Sequence, residues 1–258
     1  MAATGPELRA MILAAGRGER LRPITDSVPK PLLRIGGKPL IDYALACVAN
    51  AGIHDVVINL HHLGAMIRDH VGDGSRYGLD VSYSVEEILQ DTGGGIRDAR
   101  PYLDRSTFIT MNADTLVDVN LRELAEAHWG AGATATMLLR KDARMKAFGL
   151  IETAKDRRVR RFLGRGPAAA DERLEPWMYA GVQVLEPRIF DYLTGQGPFS
   201  ITRESYPAML EAGEKVFGQP FEGAWITVGT PAELAEAEAL LSRIDRHGAH
   251  WTTHSVES

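Results

Sequence analysis

The 258-residue sequence contains a single cysteine, Cys47. No disulfide can form within the chain, so a reducing compartment, the cytoplasm, is its expected home. Cys47 lies in the apolar stretch 41–48, where a buried structural thiol is expected rather than a nucleophile. Positive charge is not in excess either: 29 Lys and Arg stand against 34 Asp and Glu, for a net charge of -5. That balance argues against a broad basic surface, so no nucleic-acid partner is expected. A few local Arg and Lys residues can still receive an anionic substrate. No apolar run approaches the roughly 20 residues that a membrane helix needs, so no membrane span is read. The first residues carry Glu7 and lack a long apolar segment, which argues against a signal peptide. Repeats and low-complexity segments are missing. Two familiar nucleotide signatures are missing as well. No Lys-Ser or Lys-Thr follows the glycines of 16–18, and Leu21 interrupts a G-x-G-x-x-G spacing.

What is present is an ordinary globular composition, 45% hydrophobic and 24% charged, in a chain long enough to bury a substantial core. Strands are predicted at Leu8–Ala14, Asp55–Asn59, Leu79–Ser84 and Thr107–Met111. Helices are predicted at Pro39–Asn50, His62–Val71 and Leu121–Trp129. A glycine-rich turn is expected at Gly93–Gly95, leading into a short helix that ends near Arg100. This alternation is the pattern of an α/β sandwich with helices on both sides of a sheet. The second half reads as strands at Ala133–Leu139, Gly149–Glu152, Val159–Leu163 and Trp177–Leu185, with a polar loop at Gly166–Glu175. Helices follow at Thr202–Glu211 and Pro231–Arg246. We expect one domain over 1–246, with halves at about 8–130 and about 131–246. The segment 247–258 reads as a loose tail.

The most informative stretch is Leu13-Ala14-Ala15-Gly16-Arg17-Gly18-Glu19-Arg20-Leu21-Arg22-Pro23. Small residues and glycines let backbone N–H groups approach a polyphosphate with no Cβ in the way. Arg20 adds a fork of donors for phosphate oxygens. Lys30 sits between Pro29 and Pro31, each of which restricts the backbone around it, so the lysine is held stiffly. A tight turn with surface arginines, and a surface lysine in a rigid loop, are the plain structural alternatives. Asp114 ends the run Asn112-Ala113-Asp114. It is predicted to follow a strand and precede a helix, where ligands of α/β sheets gather. A carboxylate there suits a hard cation, and a helix cap or turn is the alternative. Asp118 reads as a turn or cap residue. His61 and His62 lack metal-ligand spacing, and Trp129 and Trp225 read as structural.

Gly16-x-Gly18-x-Arg20-x-x-Pro23-x-Thr25, followed by Pro29-Lys30-Pro31, resembles the signature of the nucleotidyltransferases that make nucleotide sugars from sugar 1-phosphates. Among them the short chain looks most like N-acetylmuramate-1-phosphate uridylyltransferase, with mannose-1-phosphate guanylyltransferase next. The resemblance implies a three-layer α/β/α sandwich with a Rossmann-like mixed central sheet. It implies nucleotidyl transfer from UTP or GTP to a sugar 1-phosphate, with Mg²⁺ as cofactor and pyrophosphate released. It places Leu13, Ala14, Ala15, Gly16 and Gly18 around the triphosphate, and Arg20 and Lys30 on its phosphates. Asp91 and Gly94 are placed near the nucleoside. Asp114 becomes the metal ligand, flanked by Asn112 and Ala113. Gly149, Glu152, Tyr179 and Gly181 are placed with the sugar half. A monomer or homodimer is the implied assembly.

Two positions depart from the family pattern. Ala224-Trp225-Ile226-Thr227-Val228-Gly229-Thr230 resembles the family's C-terminal strand and turn, but relatives carry a second metal-binding aspartate where Thr227 stands. Either phosphate oxygens, Asp114 and waters complete the cation's shell, or the chain is a weak or non-catalytic nucleotide binder. Arg165 lies where relatives carry a lysine that meets the sugar phosphate. It supplies that charge or is a solvated loop arginine. A cytidylyl transfer to another phosphate acceptor and a dinucleotide-dependent dehydrogenase are the remaining alternatives, the latter disfavoured by the glycine spacing.

Overall fold

The computed structural model describes residues 6–145 and 149–244. The expected tail 247–258 lies outside the described residues, as do the last two positions of the helix predicted at Pro231–Arg246. The fold is mixed α/β with a central mixed sheet, and the chain packs as two units, neither continuous in sequence. One unit, here the amino-terminal unit, gathers 10–87, 111–122 and 223 onward; the middle unit gathers the residues up to 9, 88–110 and 123–222.

In the amino-terminal unit, β1 (Leu8–Leu13), β4 (Asp55–Leu60) and β5 (Asp80–Val85) run parallel in that spatial order. Strands β1 and β4 are largely apolar runs, as strands covered on both faces require, whereas β5, at the sheet edge, alternates and is only partly buried. Helix α1 (Leu40–Asn50) is buried along nearly its whole length, from Leu40 to Val48. The Arg122 guanidinium donates to the Ala51 carbonyl at 2.8 and 3.1 Å and so closes its C-terminal end. Ahead of α1, β2 (Arg34–Ile35) and β3 (Lys38–Pro39) form a small hairpin; helix α2 (Gly64–Val71) connects β4 to β5. A second ribbon pairs β7 (Thr115–Val117) with β13 (Trp225–Thr227), antiparallel, and helix α7 (Pro231–Ile244) packs on β13 and β2.

In the middle unit, β11 (Glu175–Leu185) is antiparallel to both β8 (Ala135–Arg140) and β9 (Leu150–Thr153). Strand β10 (Val159–Phe162) extends this sheet beyond β9, and β12 (Val216–Pro220) joins β8 in parallel. Strand β6 (Thr107–Asn112) crosses from this unit to the other. Its helices are α3 (Asp91–Asp98), α4 (Arg100–Leu103), α5 (Leu121–Ala131, whose first turn belongs to the other unit) and α6 (Tyr206–Glu211).

Each packing unit is discontinuous in sequence: 88–110 and most of α5 belong to the middle unit, and 223–244 returns to the amino-terminal one. Helix α7 packs on its neighbour β13 and on β2, which lies far earlier in the sequence. Several expectations need correction. Gly93–Gly95 are not a turn but lie inside α3. The segment predicted as a helix from Thr202 opens with a π-type turn at Ile201–Ser205 before α6 begins. Among the described residues no helix is long and apolar enough to cross a membrane.

One network of buried polar groups surrounds His128. His128 is fully buried; one ring nitrogen lies 2.9 Å from Thr136 Oγ1 and the other 3.0 Å from Glu186 Oε1. Thr107 donates to the same carboxylate at 2.8 Å, and Trp129 Nε1 donates to Thr107. The hydrogen bond from His128 holds the Glu186 carboxyl below its ordinary value, against the opposing effect of burial. A carboxyl depressed in the folded state stabilises it above the unfolded value, and that contribution is lost as pH falls through the folded one. Glu186→Gln should therefore lower stability at neutral pH. The gap to the wild type should narrow in denaturant titrations as pH falls below the ordinary value of 4.5. A gap independent of pH would contradict the assignment.

Cys47 is 3% exposed, and its Sγ lies 3.7 Å from the Val117 carbonyl. Burial and the nearby Asp118 charge push the thiol up to about 12, as expected for a structural cysteine. Iodoacetamide at pH 8 should leave the native protein unlabelled and label it fully in denaturant, read by mass spectrometry.

Candidate functional site

Strand β1 ends at Leu13, whose parallel partner is Asn59. There the ladder stops, and the next backbone amide, that of Ala14, donates to the Asn59 side-chain oxygen at 2.7 Å. The Asn59 amide nitrogen donates in turn to Glu86 Oε1, also at 2.7 Å. Asn59 and Glu86 are both buried, so the loop that starts at Ala14 hangs from a fixed polar anchor. The Leu13 carbonyl accepts from Ala113 N at 3.0 Å, which brings the 112–114 turn beside the same strand end.

The two glycines of the loop differ. Gly18 has φ +63, and a Cβ there would meet Thr25 Cγ2 at 2.9 Å and Lys30 Cβ at 3.1 Å. Its carbonyl accepts from Thr25 Oγ1 and Leu21 N, both at 2.9 Å, so the turn folds back over the segment that carries Lys30. Gly18 is thus demanded by the fold. Gly16 has no such demand: nothing lies within 4 Å of the position a Cβ would take. The open side of Gly16 is the face on which a ligand can approach the backbone.

Lys30 begins a 3₁₀ turn after Pro29 and is 8% exposed. Its ammonium makes a direct ion pair with Asp114 Oδ2. The other carboxylate oxygen, Oδ1, accepts from Thr115 Oγ1 at 3.2 Å. Asp114 does not precede a helix as expected; it occupies a tight turn between β6 and β7, and α5 starts only at Leu121. The turn is fastened by Val228 N donating to the Asp114 carbonyl at 2.9 Å. This bond continues the β7–β13 ribbon, in which Thr227 is directly opposite Thr115. Thr227 is therefore brought beside the Asp114 turn, in register with the residue whose hydroxyl touches the carboxylate.

Arg20 is exposed at the loop's far side. A Cβ on Gly229 would lie 2.5 Å from Arg20 Nη2 and 3.1 Å from Glu233 Oε2, so the glycine leaves room for the guanidinium. Glu233 also accepts from Gly229 N at 2.8 Å and caps the start of α7 together with Thr230. The amino-terminal unit thus gathers Leu13, Ala14, Ala15, Gly16, Gly18, Arg20, Lys30, Asn112, Ala113, Asp114 and Thr227. Asn59, Glu86, Thr115 and Glu233 were not singled out in the sequence, and Thr25 entered only as the last position of the glycine motif. Asn59 alone carried a signal there, as a polar residue closing an apolar strand.

The remaining candidates belong to the middle unit. Asp91 opens α3 with φ +58, its carboxylate accepting from Thr92 N at 2.6 Å. Gly93 and Gly94 N–H groups donate to the Phe199 carbonyl, and a Cβ on Gly93 would meet the Phe199 ring at 2.4 Å. Glycine is needed inside this helix because another chain segment lies against it. Gly149 (φ +106) adjoins β9, and Glu152 on β9 faces Pro176 of β11. Arg161 Nη1 lies 3.5 Å from both Glu152 oxygens. On β11, Tyr179 pairs with Leu139, and burial raises its hydroxyl above the ordinary tyrosine value. The β11–β8 register then shifts where Gly181 takes φ +85. Arg165 pairs with exposed Glu211 at 3.1 Å, the arrangement of a solvated arginine.

Does this donor set suit the Mg²⁺ that the motif implies? A hard divalent cation wants several oxygen ligands, anionic ones foremost. Asp114 is the carboxylate of the turn, and its two oxygens are taken by the Lys30 ammonium and the Thr115 hydroxyl. Among the described residues no group of three or more His, Cys, Asp or Glu could hold a metal ion. The side chains by themselves do not form a divalent site.

The family profile described as nucleotidyl transferase matches residues 9–243. The chain belongs to this family. It is 35% identical over 236 residues to the N-acetylmuramate alpha-1-phosphate uridylyltransferase of Neisseria meningitidis, covering 90% of this chain and 98% of that one. It is 32% identical over 238 residues to the mannose-1-phosphate guanylyltransferase of Mycobacterium tuberculosis, covering 92% of this chain but only 65% of that relative's length. Among solved structures, a Bacillus anthracis protein named for glucose-1-phosphate thymidylyltransferase and crystallised with sucrose superposes with a TM-score of 0.79. It is 22% identical, and the match covers 95% of this chain and 98% of that one. A UDP-glucose pyrophosphorylase bound to UDP-glucose gives 0.75 at 18% identity, over 91% and 98% of the two chains. These structures establish the family's fold here.

The contrast between the two glycines is testable. Gly18→Ala should cost about 1–3 kcal/mol of stability from the left-handed backbone and the clash with Thr25. Gly16→Ala should leave the denaturation midpoint unchanged and weaken binding of a nucleoside triphosphate, measured by calorimetry. Equal loss of stability in both variants would refute the distinction.

Proposed function

We propose that the protein transfers a nucleoside monophosphate from UTP or GTP to a sugar 1-phosphate, forming a UDP- or GDP-sugar and releasing pyrophosphate. The observation that carries this reading is the amino-terminal loop, open at Gly16, with Arg20 and Lys30 on its flanks and Asp114 beside Lys30. The first pair to test is UTP with N-acetylmuramate 1-phosphate, because the Neisseria relative is matched over nearly its full length.

In the proposed reaction an oxygen of the sugar 1-phosphate forms a bond to the α-phosphorus. The bond from that phosphorus to the bridging oxygen of the β-phosphate breaks, and pyrophosphate leaves in line. The nucleophile is already an anion near neutral pH, so no general base is required. The protein's task is to position two anions and to neutralise charge. Backbone N–H groups of 14–18 would cradle the triphosphate, and the Arg20 and Lys30 cations would stabilise the departing pyrophosphate. Mg²⁺ enters this scheme as the counter-ion of the triphosphate substrate.

The test is pyrophosphate release with Mg²⁺, across the common nucleoside triphosphates and a panel of sugar 1-phosphates: N-acetylmuramate, glucose, N-acetylglucosamine and mannose. One pair should react. Arg20→Ala and Lys30→Ala should each slow it by about 10²–10³-fold, by analogy with loss of a preorganised oxyanion donor. Unchanged rates in both variants would refute the residue roles. Thr227 motivates a second reading, a nucleotide-sugar binder without turnover. Nucleotide binding with no pyrophosphate from any pair would favour it.

A further inference from the structure

Lys30 and Asp114 form a pair of opposite unit charges in a mostly enclosed place. The lysine side chain is 10% exposed and the aspartate side chain 31%. An ammonium in such surroundings is costly unless a counter-charge faces it, and Asp114 is that counter-charge. The pair is locally neutral. A divalent cation approaching Asp114 must displace the ammonium and then sit beside it, so two positive charges would share one carboxylate at low effective dielectric. A carboxylate at position 227 would change this balance. It would add a negative charge opposite Thr115, whose hydroxyl already touches Asp114, and leave the group net negative in the presence of Lys30. A threonine hydroxyl adds none.

We propose that the Lys30 ammonium, not a divalent ion, is the resident cation at Asp114 in this chain, and that Thr227 is the residue that decides it. Divalent cation then reaches the loop only together with a polyphosphate, whose oxygens supply the negative charge that the side chains lack. The proposal concerns the same loop as the proposed reaction. Its test uses no nucleotide and reads no turnover, so it fails or holds separately from that reading.

The experiment is titration of the ligand-free protein with Mn²⁺, following the free aqueous ion by electron paramagnetic resonance. The wild type should show no saturable site tighter than about 1 mM, the weak end of protein–cation affinities. Lys30→Met removes the ammonium and keeps the apolar stem; Thr227→Asp adds the carboxylate. Each should tighten Mn²⁺ binding at least about tenfold, equivalent to about 1.4 kcal/mol. Adding Asp114→Asn to either variant should abolish the gain. Thermal melts identify a variant that fails to fold, and the other then carries the comparison. A wild type that binds Mn²⁺ as tightly as Lys30→Met, with binding lost in Asp114→Asn, would overturn the proposal.

Discussion

The amide of Ala14 is the first backbone donor beyond the end of β1, and the side chain of Asn59 receives it. The rest of the candidate site depends on this bond. Asn59 is available because the parallel register sets it opposite Leu13. A slip of one residue would turn it to the other face of the strand and remove the anchor. Its amide faces two ways, taking the loop's N–H on one side and giving a hydrogen to buried Glu86 on the other. Replacement by an apolar residue would leave both a buried donor and a buried carboxylate short of a partner, which costs more than the bond itself contributes. Sheet register, not loop sequence, thus determines where the small residues of 14–18 begin.

From that anchor the loop closes on itself through Gly18. Its carbonyl binds Thr25 and its bare α-carbon lies against Thr25 and Lys30, so one turn places the lysine-bearing segment. The Asp114 turn is fastened from a different part of the chain, by Ala113 on Leu13 and by Val228 on Asp114. Lysine and aspartate, far apart in sequence, meet because two independent sets of backbone bonds converge on the end of β1. The pairing is therefore a result of the scaffold and not of a local motif.

The sequence makes the long apolar strands legible, because runs such as Val56-Val57-Ile58 need burial on both faces whatever surrounds them. It also exposes the candidate phosphate loop, since Gly16, Gly18, Arg20 and the Pro29-Lys30-Pro31 segment are local features. It does not disclose β7, nor the pairing of β7 with β13, whose strand shows only through the family's C-terminal motif. Each is three residues long, and each is a strand only because the other lies beside it. Asp114 was expected to lead into a helix for that reason: without β7 the next regular element in view is α5. The three glycines of α3 fail differently. Glycine is a poor helix former, so a turn is the natural local reading. At Gly93 it is Phe199, remote in sequence, that leaves no room for a Cβ. Motif identity was local and readable; pairing partners were remote and were not.

The free protein's cations are not bare. Lys30 is paired with Asp114, and the Arg20 guanidinium shares the space at Gly229 with the Glu233 carboxylate. On the proposed reading, a phosphate taken by Lys30 would replace one anionic partner with another. This lowers the affinity gained from each contact, because the carboxylate released must be satisfied elsewhere. It also protects the free state, in which a largely buried lysine would otherwise have no counter-charge. The two cations differ in how readily they can be traded. Glu233 accepts from the Gly229 amide and the Thr230 hydroxyl, so its charge is hydrogen-bonded whatever Arg20 does. Asp114, when released by Lys30, keeps only the Thr115 hydroxyl of its present side-chain partners, a weak substitute for an ammonium. An ion arriving with the phosphates would supply the missing positive charge at the moment Lys30 turns to the phosphate. On the proposed reading, the carboxylate of the turn would couple departure of the lysine to arrival of the cation, a coupling that a second carboxylate at position 227 would loosen.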